Sequence, residues 1–174
     1  MKSIAEHMSF YEAYHKHPLN KATHFIGIPM IIYGILVPMS ALQVQLGAWP
    51  LSFAMVFSVS VLAYYCVLDR VFGVAMCAVI LPIVALAHLT VQQGTAVWIG
   101  VAIGAFVLGW VFQLFGHIVF EKRRPALADN LFQLIIGPLF LCAELFFMMG
   151  FKKELHHRVL ELSKGHALKQ PTPA

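Results

Sequence analysis

The chain has 174 residues, of which 60% are apolar and only 11% charged, with 12 basic and 8 acidic side chains and a mean hydropathy of +0.78. An ordinary soluble domain carries roughly 25% charged residues, and here only Asp69 and Arg70 are charged between Phe25 and Phe120. That distribution excludes a soluble enzyme, a disordered chain and a disulfide scaffold, and predicts an all-α integral membrane protein.

The first 24 residues are polar and His-rich. They carry Lys2, Glu6, Glu12, Lys16 and Lys21 and lack the apolar core of a cleavable signal peptide. The first apolar segment is therefore expected to direct insertion. Within this stretch, Tyr14-His15-Lys16-His17-Pro18-Leu19-Asn20-Lys21-Ala22-Thr23-His24 concentrates three histidines. Pro18 suits the first turn of a helix. His17, Asn20 and His24 then fall near one face, and His15 precedes the turn. Two readings stand: interfacial side chains reaching for headgroups, or a ligand set.

Five apolar segments follow, at approximately Phe25–Leu42, Pro50–Leu68, Val71–Val91, Thr95–Phe120 and Asn130–Gly150. Each is close to the 20 or so residues a helix needs to cross a ~30 Å hydrocarbon layer. Helix is the expected spanning form, because backbone groups must be satisfied internally and no barrel alternation is present. Cys66, Cys77 and Cys142 lie inside these segments without ligand spacing and read as small packing residues. Pro29, Pro38, Pro82 and Pro138 are tolerable in membrane helices. Gly100-xxx-Gly104 is a candidate close-packing motif, and His88 reads as structural.

The fourth segment ends in Gln113-Leu114-Phe115-Gly116-His117-Ile118-Val119-Phe120-Glu121. His117 and Glu121 share a helical face at i, i+4, with Gln113 one turn earlier. Imidazole and carboxylate at that spacing suit a divalent metal. A His–Glu hydrogen bond that joins helices is the alternative. Lys122, Arg123 and Arg124 follow, then Asp129 or Asn130 as a helix N-cap. Glu144 sits in the fifth segment with no basic residue within a turn. An intramembrane carboxylate is costly and faces a bundle interior or a cavity. It reads as metal support, as a proton handler, or as a bond to another helix.

Lys and Arg collect at the N-terminus, in the Glu121–Asp129 loop and in the tail. The positive-inside rule places the first two, with the Asp69–Arg70 turn, in the cytoplasm. A full fifth crossing would put the basic tail outside. A break at Gly137-Pro138 resolves the conflict, giving four crossings and a broken fifth segment. Residues 1–151 are expected to form one membrane-embedded domain and 152–174 a flexible polar tail. This topology explains the basic balance through lipid headgroups, so no nucleic-acid partner is expected. The pattern specifies no oligomeric state. Both polar clusters then lie at the cytoplasmic face, at one membrane depth.

Three stretches resemble a known family: Tyr14-His15-x-x-Pro18-x-Asn20-x-x-x-His24; Gly116-His117-x-x-Phe120-Glu121-Lys122-Arg123-Arg124-Pro125-Ala126-Leu127-x-Asp129-Asn130-Leu131; and, more weakly, Pro138, Phe140, Glu144 and Gly150-Phe151. The family is that of membrane dioxygenases of 2-hydroxy fatty acid alpha-oxidation, described in yeast for turning phytosphingosine into odd-numbered fatty acids. The resemblance implies an Fe(II)-dependent enzyme acting on a 2-hydroxy fatty acid and O2, in a bacterial inner membrane or the endoplasmic reticulum. It implies His15, His24 and His117 as metal ligands. His17 stands where Asn is common in the family and is the weakest candidate. Glu121, Asn20 and Glu144 are the candidate catalytic partners, and Lys122, Arg123, Arg124 and Tyr14 the candidate substrate contacts. The atoms balance without a co-substrate: R-CHOH-COOH + O2 gives R-COOH + CO2 + H2O. The competing class is a non-catalytic membrane protein, either a haem-carrying electron conduit or a helical scaffold.

Overall fold

A computed structural model describes residues 3–47, 49–122, 125 and 132–167. Among them are seven α-helices: α1 (Ile4–Tyr14), α2 (Pro18–Ala41), α3 (Phe53–Leu68), α4 (Arg70–Val91), α5 (Thr95–Phe115), α6 (Gln133–Met148) and α7 (Lys153–Ala167). A π-helical turn, Gly116–Glu121, continues α5. A two-stranded antiparallel hairpin, β1 (Gln43–Leu46) and β2 (Trp49–Ser52), fills the first break. The fold is all-α in character and that of a membrane protein. Among the described residues, three helices are long and apolar enough to cross a membrane: Pro18–Ala41, Arg70–Val91 and Thr95–Glu121.

Contacts group into two units. One comprises Met1–Ile26 with Phe112–Ala174, the other Gly27–Val111.

In the second unit, α3 and α4 form a tight helical pair around a single linking residue. Asp69 ends α3 and caps α4, its Oδ1 accepting from the Val71 and Phe72 amides at 3.0 and 3.2 Å. A Cβ on Gly73 would stand 2.6 Å from the Cys66 backbone, so only glycine permits this approach. Helices α2 and α5 also touch closely. A Cβ on Gly34 would meet the Phe106 amide at 2.8 Å, and one on Gly109 would meet the Gly27 carbonyl at 2.8 Å. Gly27 and Gly34 lie seven residues apart on α2 and face Gly109 and Phe106 in reverse order on α5, so the two helices run antiparallel. The Gly100-xxx-Gly104 motif makes no contact among the described residues: none lies within 4 Å of a Cβ placed at either position. The sequence signal for the close seam is Gly27 and Gly34, seven residues apart on α2.

In the first unit, α1 begins with a capping box. The Ser3 Oγ accepts from the Glu6 amide at 3.3 Å, and the Ser3 amide donates to Glu6 Oε2 at 2.6 Å. This helix has no apolar run to announce it; Ser3-x-x-Glu6 is its sequence signal. Helix α7 packs along α1 and buries Val159 and Ser163. The expectation of a flexible tail from residue 152 is thus corrected over Lys153–Ala167. Leu155, Val159 and Ser163 recur at i, i+4 spacing on the inner face, which supplies the stripe that local charge hides.

The expected break at Gly137-Pro138 is also corrected. Helix α6 runs unbroken through Pro138. A proline forfeits one intrahelical bond, and the surrounding packing offsets it: Ile136, Leu139 and Phe140 have no exposed surface. At 16 residues, α6 is about 24 Å long, less than the ~30 Å hydrocarbon layer. Helix α3 has the same length. The expected N-cap at Asp129 or Asn130 lies outside the described residues.

Candidate metal centre

Three elements of the first unit deliver one histidine each. His15 ends α1, His24 lies in the second turn of α2, and His117 sits in the π-helical turn after α5. Their ligand atoms all lie within 4.8 Å of one another. All three are buried, at 2%, 1% and 1% exposure. The rings are close to mutually perpendicular, with centroids 4.5, 4.7 and 4.9 Å apart and interplanar angles of 80°, 72° and 78°.

The hydrogen bonds assign the protons. His15 Nδ1 lies 2.7 Å from the Tyr11 carbonyl, and His24 Nδ1 lies 2.8 Å from the Asn20 carbonyl. A carbonyl only accepts, so both Nδ1 atoms carry the hydrogen. Each neutral ring is left with a bare Nε2 lone pair, and the two Nε2 atoms face each other at 3.0 Å. Two lone pairs at that distance repel unless a proton or a cation lies between them. Burial holds the His15 pKa well below its ordinary value, with the neighbouring His24 and His117 adding to the effect, so a proton is the poorer solution. His117 Nδ1 is buried with no hydrogen-bond partner among the described residues, so this ring too keeps a nitrogen uncommitted.

The residues fit a transition metal. Cis ligands about 2.1 Å from one metal are about 3.0 Å apart, whereas trans ligands are about 4.2 Å apart. The His15–His24 pair matches the cis value and leaves no room for bis-axial haem ligation. Ligating histidines usually donate their second ring N–H to a carbonyl or carboxylate, which orients the ring, as His15 and His24 do here.

The π-helical turn has a local cause. A Cβ on Gly116 would fall well inside contact distance of Thr23 Oγ1 and Asn20 Oδ1, so α2 and the turn approach as only glycine allows. Such turns occur frequently at functional sites. Lys122 then takes a left-handed conformation (φ 53°), and its amide donates to the His117 carbonyl.

The candidate carboxylates stand apart from the triad. Glu121 Oε1 accepts from the His17 amide at 2.7 Å and from Asn20 Nδ2 at 3.1 Å. It joins the π-helical turn to the start of α2 through a backbone amide and Asn20, not through a histidine ring. Asn20 is fully buried; its amide holds Glu121 while its backbone carbonyl holds His24. His17 is not in the triad. Its Nδ1 accepts from the Leu19 amide at 3.2 Å, and its ring stacks on Phe120 at 5.2 Å. Glu144 bonds to Lys21 at 3.0 Å, a partner on another helix that local sequence spacing did not expose. Tyr14 packs beside Phe10 in the α1 core. Lys122 is exposed; Arg123 and Arg124 lie outside the described residues. Gln113 is buried with Nε2 unpartnered. His88 belongs to the second unit, with its Nδ1 3.0 Å from the Val84 carbonyl.

Sequence reading missed Tyr11, Glu12 and Lys21. Tyr11 stacks on the His15 ring at 3.8 Å and 6°, and burial raises its phenol pKa far above the ordinary value. Glu12 bonds to Lys21 at 2.9 Å. Glu12 and Lys21 each stand three residues before a triad histidine, and that spacing was the available signal.

An all-α membrane protein with a buried three-histidine centre is the class these features define. Residues 1–149 match the family described as 2-hydroxy-palmitic acid dioxygenase Mpo1-like, and the chain belongs to that family. It is 34% identical over 159 residues to the 2-hydroxy-palmitic acid dioxygenase MPO1 of Saccharomyces cerevisiae, covering 87% of this chain and 84% of the yeast protein. No solved structure matches the chain.

Proposed function

We propose that this protein is an Fe(II)-dependent dioxygenase that converts a 2-hydroxy fatty acid to the acid one carbon shorter. The observation that carries the reading is the facing pair of bare Nε2 atoms, closed by His117, in a chain of this family. Iron(II) held by His15, His24 and His117 supplies the one-electron chemistry that O2 requires and open positions for substrate. The chain's own residues do the rest. The Tyr11 and Asn20 carbonyls hold two rings in the tautomer that presents Nε2. Tyr11, stacked on His15, covers that ring with an apolar face. Glu121 and Asn20 hold the π-helical turn against α2, and so hold His117 opposite His24. In this reading Glu121 and Asn20 orient ligands and do not touch the reacting atoms. Lys122, Arg123 and Arg124 are the candidate contacts for the substrate carboxylate, and Tyr14 a candidate contact for the chain.

The reaction balances as R-CHOH-COOH + O2 → R-COOH + CO2 + H2O. The substrate provides all four electrons, so no reductant is needed.

The membrane arrangement belongs to the same proposal. Packing of α7 along α1 favours both ends of the chain on one side, which requires an even number of crossings. Four crossings by α2 to α5, with α6 remaining on one side, satisfy this; the 16-residue α3 then crosses by local thinning of the bilayer. The basic N-terminus, the Lys122-Arg123-Arg124 run and the tail then share the cytoplasmic face, where the triad would lie, in a bacterial inner membrane or the endoplasmic reticulum.

The test is direct. Purified protein with Fe(II), O2 and 2-hydroxypalmitate yields pentadecanoic acid and CO2. Absence of product from protein with iron demonstrably bound would refute the assignment.

A further inference from the structure

The Lys21 ammonium sits between two carboxylates from different helices. It is 2.9 Å from Glu12 Oε2 on α1 and 3.0 Å from Glu144 Oε2 on α6. It also lies 5.4 Å from the centroid of the Phe140 ring. That ring packs on Tyr11 at 4.5 Å and lies 6.2 Å from His15. All three charged side chains are largely withdrawn from solvent, at 18%, 10% and 11% side-chain exposure.

The placement of this network is specific. Glu12 precedes His15 by three residues, and Lys21 precedes His24 by three. Lys21 and His24 share one face of α2, and His15 closes α1 with its amide donating to the Glu12 carbonyl at 3.1 Å. Between them the chain leaves helix: His15 has φ −127° and ψ 68°, and α2 starts only at Pro18. The angle of this backbone corner fixes the His15–His24 separation. The Glu12–Lys21 bond spans that corner on the same elements as the histidine pair. Glu144 adds α6, whose Phe140 buttresses Tyr11 and His15.

We infer that Lys21, Glu12 and Glu144 form a positioning network that sets the His15–His24 separation and thereby the metal affinity of the triad. This rests on the reading that the triad holds a metal. The three residues touch neither substrate nor metal. A network of one cation and two carboxylates tolerates loss of either carboxylate, because a neutral pair remains. Loss of Lys21 leaves two buried carboxylates facing each other, a costly arrangement.

The test therefore uses Glu12→Ala and Glu144→Ala in the full-length protein in detergent, with Lys21→Arg as the conservative variant. Co(II) is the probe, read by calorimetric titration and by its visible absorption. Helicity and thermal midpoint are measured on metal-free protein. Direct hydrogen-bond partners of ligating histidines are typically worth about 10- to 100-fold in metal affinity, and a network one contact further out is expected at the lower end of that range. Both alanine variants are expected to lose affinity at that lower end and to shift the Co(II) spectrum, with helicity and midpoint close to wild type. Lys21→Arg is expected to keep most of the affinity. Unchanged affinity and spectrum in both alanine variants would overturn the inference. So would affinity lost only in step with helicity, or failure of both variants to fold, since either assigns the network to the fold alone. Wild-type protein that binds no Co(II) or Fe(II) would refute the functional reading itself and this inference with it.

Discussion

Substitution of Gly116 by alanine tests how tightly the π-helical turn must approach α2. A Cβ at this position falls below the 3.0 Å that real Cβ contacts essentially never show, against both Thr23 Oγ1 and Asn20 Oδ1. Neither atom is free to yield. Thr23 is β-branched and its hydroxyl donates to the Asn20 carbonyl at 2.7 Å. The Asn20 amide is tied to Glu121. Restoring ordinary contact near 3.5 Å requires the helices to separate by about 1 Å. Overpacking of this kind costs about 1–3 kcal/mol. The separation falls beside His117, and metal sites keep their ligand distances to about 0.2 Å, so metal affinity is expected to drop at least about tenfold. Gly100→Ala is the matched control: it is a helical glycine with open space around the new Cβ, and is expected to be neutral or stabilising by up to about 1 kcal/mol. Thermal melts in detergent and Co(II) titration read both effects. A Gly116→Ala protein with wild-type midpoint and wild-type metal affinity would refute the close-approach argument.

Two further predictions concern the triad. His15→Ala, His24→Ala and His117→Ala are each expected to lose bound iron by metal analysis, whereas His17→Ala is expected to keep it and lose only a helix cap, about 1 kcal/mol. Retention of iron in any of the first three would break up the site. The second concerns pH. Metal and proton compete for the bare Nε2 lone pairs, and burial holds the His15 pKa well below its ordinary 6.5. The folded site therefore resists protonation longer than a free imidazole as pH falls. Co(II) is expected to stay bound at pH 6.5 and to be released only in more acidic buffer. Release already complete at pH 6.5 would contradict this.

The class of protein was legible in the composition, because a chain with two charges between Phe25 and Phe120 has no polar surface to spend on water. The start of α2 was legible at Pro18 and the break between α3 and α4 at Asp69–Arg70, where chemistry is local. The histidine candidates were legible as well, since polar residues at a membrane boundary are few.

What sequence left open depends on contacts between distant segments. The sequence placed His117 and Glu121 on one face, but only the fold shows that Glu121 is taken by the His17 amide and Asn20. Glu144 looked unpaired because its cation lies on α2, over a hundred residues away. Gly100 and Gly104 matched a packing motif yet face open space, while Gly34, Gly109 and Gly116 lie at the helix contacts. The continuity of α6 through Pro138 was decided by burial on all sides, which local propensity does not encode. Composition and spacing thus determined the solvent this chain lives in and which side chains were available for chemistry. Only tertiary structure decided which of them meet, because a hydrogen-bond or ligand distance of 3 Å is set by how helices pack, not by where residues stand in the chain.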